Sequence, residues 1–156
     1  MSGAPMTEVR FYHMQRTTLE AVLAPMLQRT LERGQRALVL AGSPERVEAL
    51  TAHLWTYADR SFLPHGNARD GRAERQPIWL AVEDENPNQA EVLFLTDGAV
   101  SARIGEFTTC AELFDGRDAA AVAAARERWR AYRSAGHSVI YFQQSEQGRW
   151  EEKQTG

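Results

Sequence analysis

Residues 37–55 read ALVLAGSPERVEALTAHLW, and the fold class turns on how this stretch divides. Ala37 to Ala41 is a short, unbroken apolar run, the pattern of a strand covered on both faces. The chain then changes character. Ser43 supplies an N-cap oxygen, Pro44 fits the first helical position, and Glu45 lies against the positive end of the helix dipole. A buried strand therefore feeds a capped helix. Upstream, Val9 to His13 (VRFYH) is rich in β-branched and aromatic residues and predicts another strand. Thr17 or Thr18 can cap a helix carrying Leu19, Val22, Leu23, Met26, Leu27 and Leu31, with Gly34 ending it. Strand, helix, strand, helix in this order predicts an α/β fold, a parallel sheet with helices on its faces.

Downstream, Ile78 to Val82 and Val92 to Leu95 are further buried-strand candidates, separated by the turn-rich EDENPNQ. Residues 66–77 (GNARDGRAERQP) are polar and glycine-rich and predict a loop. Phe107 to Phe114 (FTTCAELF) fits a strand or a helix. Asp118 starts an alanine-rich helix that Gly136 stops, and Ser138 to Phe142 (SVIYF) supplies a last strand. Residues 1–6 and the polar segment 145–156 are expected to be loose tails on one domain spanning 1–156. At 156 residues the chain is long enough to bury a core.

Formal net charge is −3, which argues against duplex-DNA binding. A single cysteine, Cys110, excludes an internal disulfide and any multi-cysteine zinc site. There is no apolar run of about 18 residues to span a membrane, and MSGAPMTEV lacks the plan of a signal peptide. These features place the chain in the cytoplasm, without a membrane partner.

Motifs for catalysis fail in turn. There is no GxxxxGK[ST] or GxGxxG phosphate loop, and AGSPER is too poor in glycine to cradle a pyrophosphate. The four histidines (13, 53, 65, 137) are scattered, with no metal-ligand spacing. Cys110 in FTTCAEL reads as a buried, inert thiol, and His65, after Pro64, as a turn residue. No catalytic residue, cofactor or metal is expected.

Two stretches remain. Residues 126–136 read RERWRAYRSAG. On a helix, Val122, Ala125, Trp129 and Tyr132 share one stripe, as for a helix packed on a core. Arg126, Arg130 and Arg133 group on the flank beside Trp129, with Arg128 across the stripe. Four arginines and one glutamate within 126–133 (+4 − 1 = +3) stand against an acidic background. Spacing leaves open a solvated basic face or a site for an anion that carries an apolar group. The other stretch is LWTYADRSFLPHG (54–66), where Trp55, Tyr57, Phe62 and Leu63 crowd together. They are core, or they mark a partner surface held out by the turn residues around them.

At these two places the chain resembles a known family, the chi subunit of the bacterial DNA polymerase III clamp-loader assembly. The matching blocks are RFYHM near the start, LW…SFLPH, and ARERWRAYRSAG followed by a strand, in the same order from Val9 to Phe142. The resemblance implies a three-layer α/β/α fold with a central, mostly parallel sheet and no catalytic activity. It implies an adaptor of the polymerase III holoenzyme with two surfaces. One grips the acidic, phenylalanine-terminated tail of the single-stranded DNA-binding protein, at positions matching Arg126, Trp129, Arg130 and Arg133. The other, matching Trp55, Phe62, Pro64 and His65, meets the psi subunit of the clamp loader or a helicase. Val122 stands where a basic residue is common in the family, and Trp129 where a tyrosine is usual. Outside the resemblance, a nucleotide-binding α/β enzyme would show a polar pocket at the carboxyl ends of its parallel strands. A direct single-stranded nucleic-acid binder working through Arg126–Arg133 would show steep salt dependence.

Overall fold

Every pairing but one in the eight-stranded sheet is parallel, in the order β3-β4-β2-β5-β6-β1-β7-β8. The structure, a computed structural model, describes residues 7–56, 64–68 and 71–153, without the Trp55 side chain. The strands are β1 (Glu8–Met14), β2 (Ala37–Leu40), β3 (His65–Gly66), β4 (Ile78–Ala81), β5 (Val92–Leu95), β6 (Thr109–Asp115), β7 (Ser138–Gln144) and β8 (Trp150–Lys153). The helices are α1 (Leu19–Glu32), α2 (Pro44–Thr56) and α3 (Ala119–Ser134). Among the described residues, no helix is long and apolar enough to cross a membrane.

The unbroken apolar runs are buried on both sides. In β2, Ala37 and Val39 join the core under α1 and α2, while Leu38 and Leu40 join the core on the opposite face. That second face is covered by α3 through Val122, Ala125, Trp129 and Tyr132, the stripe that helical spacing predicts. Helices on both faces make three layers. Thr18 caps α1 by accepting from the Ala21 N–H, and Asp118 caps α3 by accepting from Ala120 and Ala121. Gly136, at φ 95°, takes the left-handed turn after α3 that a side chain resists.

FTTCAELF, open between strand and helix, resolves as a strand from Thr109 onward, β6, whose alternate residues enter the two cores. Two expectations are corrected. His65 is not in a turn: with Gly66 it adds a short strand beside Ile78 and Trp79. The polar segment after Ser145 is not a tail throughout, because 150–153 form β8, antiparallel to β7. Trp150 explains it. The indole stands edge-on to Tyr12 at 5.1 Å, giving one large apolar group a place on the sheet that an alternation-based reading of WEEK would not assign. Residues 1–6 lie outside the described residues.

One buried charge ties α3 to the sheet. Glu112 on β6 is 1% exposed. Its Oε2 accepts from Arg128 Nε at 2.9 Å and from the Tyr132 hydroxyl at 2.7 Å. Burial holds the Glu112 carboxyl above the usual carboxylate range, with Arg128 acting in the opposite direction. Replacing Arg128 with Ala leaves this carboxyl buried without its counter-charge and should cost about 3 kcal/mol of stability. Its folded-state pKa then rises further. A carboxyl with a raised folded pKa favours the folded state while protonated and loses that advantage as pH rises through that pKa. Denaturant unfolding of Arg128→Ala against wild type should therefore show a larger deficit at about pH 8 than at about pH 5. An equal deficit at both would mean that Glu112 does not carry it.

Candidate functional site

The helix α3 presents its basic flank to solvent because Arg128 and Tyr132 are drawn inward to Glu112. Arg126, Arg130 and Arg133, at helical spacings of four and three residues, are all exposed. Trp129 is half-buried between that flank and the core. Its indole lies 5.5 Å from the Phe11 ring and 5.8 Å, edge to face, from Tyr141. The structure thus brings Arg126, Trp129, Arg130 and Arg133 together on one helix, with one ring half open to solvent beside them.

The arginines differ in what they already hold. Arg130 Nη1 pairs with Glu127 at 2.7 Å, with both side chains largely exposed, so the pair is worth little and opens readily. Arg126 has no hydrogen bond or ion pair among the described residues. Its charge is felt instead by two groups that the sequence did not single out. His13, from the end of β1, shares a 2.5 Å hydrogen bond with the Tyr141 hydroxyl of β7. Burial, then the neighbouring Arg126 charge, lowers the His13 pKa below its usual value. Burial raises the Tyr141 pKa, against Arg126. Phe11 and Tyr141 face each other in register on β1 and β7, which sets Tyr141 beside both Trp129 and His13. No local pattern carries this contact, since the two strands are more than a hundred residues apart. Gly116 closes the arrangement: a Cβ there would come within 1.9 Å of the His13 ring and 2.8 Å of the Met14 carbonyl.

The second candidate surface is described in part. Pro64 is half-buried, and His65 is buried at 8% exposure. Trp55 lies in the last turns of α2 with its side chain outside the described residues, and Phe62 lies outside them altogether.

A crevice of about 620 Å³ does open at the carboxyl ends of β1, β5 and β6, where α/β enzymes bind nucleotides. Its donors are already taken. Asp97 Oδ2 accepts from the Gly42 N–H at 3.3 Å and from Arg46 Nε at 3.1 Å, in the turn where a phosphate would sit. Arg46 also holds Glu20, and Arg117 holds Asp115. The Asp118 carboxylate takes the free N–H groups of α3. An incoming phosphate would meet carboxylates at each of these donors. Cys110 is fully buried, and its thiol is pushed well above the usual range by that burial and by Glu112, as for the inert thiol expected. Among the described residues, no group of His, Cys, Asp and Glu could hold a metal ion.

Comparison with known proteins identifies a family. Residues 6–140 match the family described as DNA polymerase III chi subunit, HolC. A relative from Rickettsia prowazekii (strain Madrid E), named a probable DNA polymerase III subunit chi, is 27% identical over 99 residues. That alignment covers 64% of this chain and 60% of the relative's length.

The His13–Arg126 coupling has a direct consequence. Arg126→Ala removes a nearby positive charge, so the His13 titration followed by NMR should move to higher pH. It should stay below the ordinary histidine value, because burial, the larger cause, remains. An unmoved midpoint would place Arg126 away from the His13–Tyr141 pair.

Proposed function

The chain belongs to the DNA polymerase III chi subunit family, and from that premise we propose that it is a non-catalytic adaptor of the replication machinery. Its α3 flank, Arg126, Trp129, Arg130 and Arg133, binds the acidic, phenylalanine-terminated tail of the single-stranded DNA-binding protein. The stretch with Trp55, Phe62, Pro64 and His65 meets the psi subunit of the clamp loader or a helicase, so that the protein links the two. The observation that carries the first part is the exposed Arg126, with no ion pair among the described residues, beside the half-open ring of Trp129. Such a tail offers aspartates, a terminal carboxylate and one ring. Guanidinium forks suit the carboxylates, and an aromatic at a helix seam walls a pocket for the ring. Capture of a chain end in this way is a known mode of peptide recognition. The filled donors of the carboxyl-end crevice weigh against the nucleotide-enzyme reading.

Calorimetric titration with an acidic peptide ending in Pro-Phe tests the reading. The same peptide without its Phe should bind far more weakly. Arg126→Ala should cost about 1.5–3 kcal/mol of binding, the worth of a hydrogen bond to a charged group, with little change in stability. Added salt should weaken binding, since part of the attraction is between exposed charges. Wild-type affinity in Arg126→Ala would remove α3 from the tail site.

A further inference from the structure

The sheet face opposite α3 carries a second meeting of arginines and rings. There α1 packs on β2 and β6, and Tyr12, Phe142 and Trp150, on β1, β7 and β8, stay half-buried beyond it. Between α1 and the sheet lies a cleft of about 230 Å³. Its floor is low because Ala111 is the short residue in the cross-strand row Phe94, Ala111, Arg10. Tyr12 forms one wall, and Arg29 and Arg33 stand at the mouth with Arg10. Arg10 is engaged by Glu8. The guanidiniums of Arg29 and Arg33 have no hydrogen bond or ion pair among the described residues. Basic residues in the last turn of a helix also offset its dipole, which accounts for Arg29 alone but not for the rings beside it.

Those rings form a row. Tyr12 and Phe142 stack at 5.2 Å with 10° between their planes, and Trp150 meets Tyr12 edge-on. The cleft is smaller than the roughly 300–1,000 Å³ of a site that encloses a whole small molecule, and so takes one planar group of a longer ligand. We propose that this face binds single-stranded nucleic acid, with bases against the half-buried rings of Phe142, Tyr12 and Trp150 that line the cleft, and phosphates on Arg29 and Arg33. Residues four apart on a helix lie about 5–6 Å apart at Cβ, a separation that one strand's phosphate backbone can follow. An acidic peptide would satisfy the arginines but would leave most of the ring row uncovered. Successive bases match it, because every base offers a π-face. The surface is independent of α3, being on the other side of the sheet.

The test is fluorescence anisotropy of a labelled oligothymidylate of about a dozen nucleotides, titrated with the full chain. Saturable binding should appear at low salt with Kd within roughly 10⁻⁶–10⁻⁴ M, and its log–log salt slope should be about −1.4 for two phosphate contacts on a single strand. The double variant Arg29→Ala/Arg33→Ala should bind about tenfold more weakly or worse, with a slope near zero. Alanine is a good helix former, so that variant should keep its circular dichroism. Tyr12→Leu should weaken binding while leaving the salt slope in place. Arg126→Ala should bind the oligonucleotide as wild type does, which separates this site from the tail site. The proposal is overturned if wild type shows no saturable binding at low salt, or if the double variant binds normally. It is also overturned if a duplex of the same length competes equally, or if the acidic Phe-terminated peptide displaces the oligonucleotide from wild type.

Discussion

The orientation of α3 depends on a carboxylate under it. Glu112 is a charged residue flanked by apolar ones in β6, and its two partners, Arg128 and Tyr132, are one turn apart on the helix. A buried ion pair contributes little net stability compared with well-packed apolar groups, but leaving one member unpaired is costly. That asymmetry gives the pair its structural role. Turning α3 by one residue would rotate each side chain by about 100°, withdraw Arg128 and Tyr132 from Glu112 and expose a charge in the core. The helix therefore has one acceptable phase. In that phase Arg126, Arg130 and Arg133 face solvent, and Trp129 stands at the edge of the core against Tyr141.

Much of the framework was legible because it depends on neighbours in sequence. Thr18, Ser43 and Asp118 each accept a backbone N–H at the start of a helix, and their side-chain chemistry announces this without reference to the rest of the chain. The runs at 37–40 and 92–95 are apolar throughout because both of their faces are covered. The helical stripe of α3 was legible for the same reason. What was not legible depends on pairing across the sheet. Nothing in FTTCAELF marks Glu112 as the acceptor for a helix that follows it, although an acidic residue inside an apolar run is itself a sign that a partner must arrive. His13 and Tyr141 meet only because β1 and β7 are adjacent and in register. β8 was missed because three of its four residues are charged, and a single tryptophan supplies its apolar contact.

The two faces of the sheet are unequal, and the connections explain why. The crossover from β1 to β2 passes over β6 and β5, so α1 packs on that half of the sheet. The crossover from β6 to β7 passes over β1 on the opposite side and carries α3 there. On the α1 side, the β1–β7–β8 end keeps three half-buried rings. On the α3 side, β1 and β7 are covered, and their rings Phe11 and Tyr141 pack beneath Trp129 and Tyr132. The same pair of strands thus presents aromatic groups to two different surroundings, one a core and the other a cleft.

Charge pairing within the fold decides where an anion can be recognised at low cost. A guanidinium that already holds a carboxylate must give it up before it can take another, and a buried pair resists this far more than an exposed one. Arg128 with Glu112 is buried, and Arg46 is shared by Glu20 and Asp97. Both line the large carboxyl-end crevice, which for that reason is the less suitable anion site despite its volume. Arg130 with Glu127 is largely in water and gives way easily. Arg126, Arg29 and Arg33 need give up no such contact among the described residues. Each of these three stands beside a ring that is partly open, Trp129 in one case and Tyr12 in the other. A chain with a net charge of −3 thus commits the arginines of its carboxyl-end crevice to its own carboxylates, while Arg126, Arg29 and Arg33 stand next to aromatic surface.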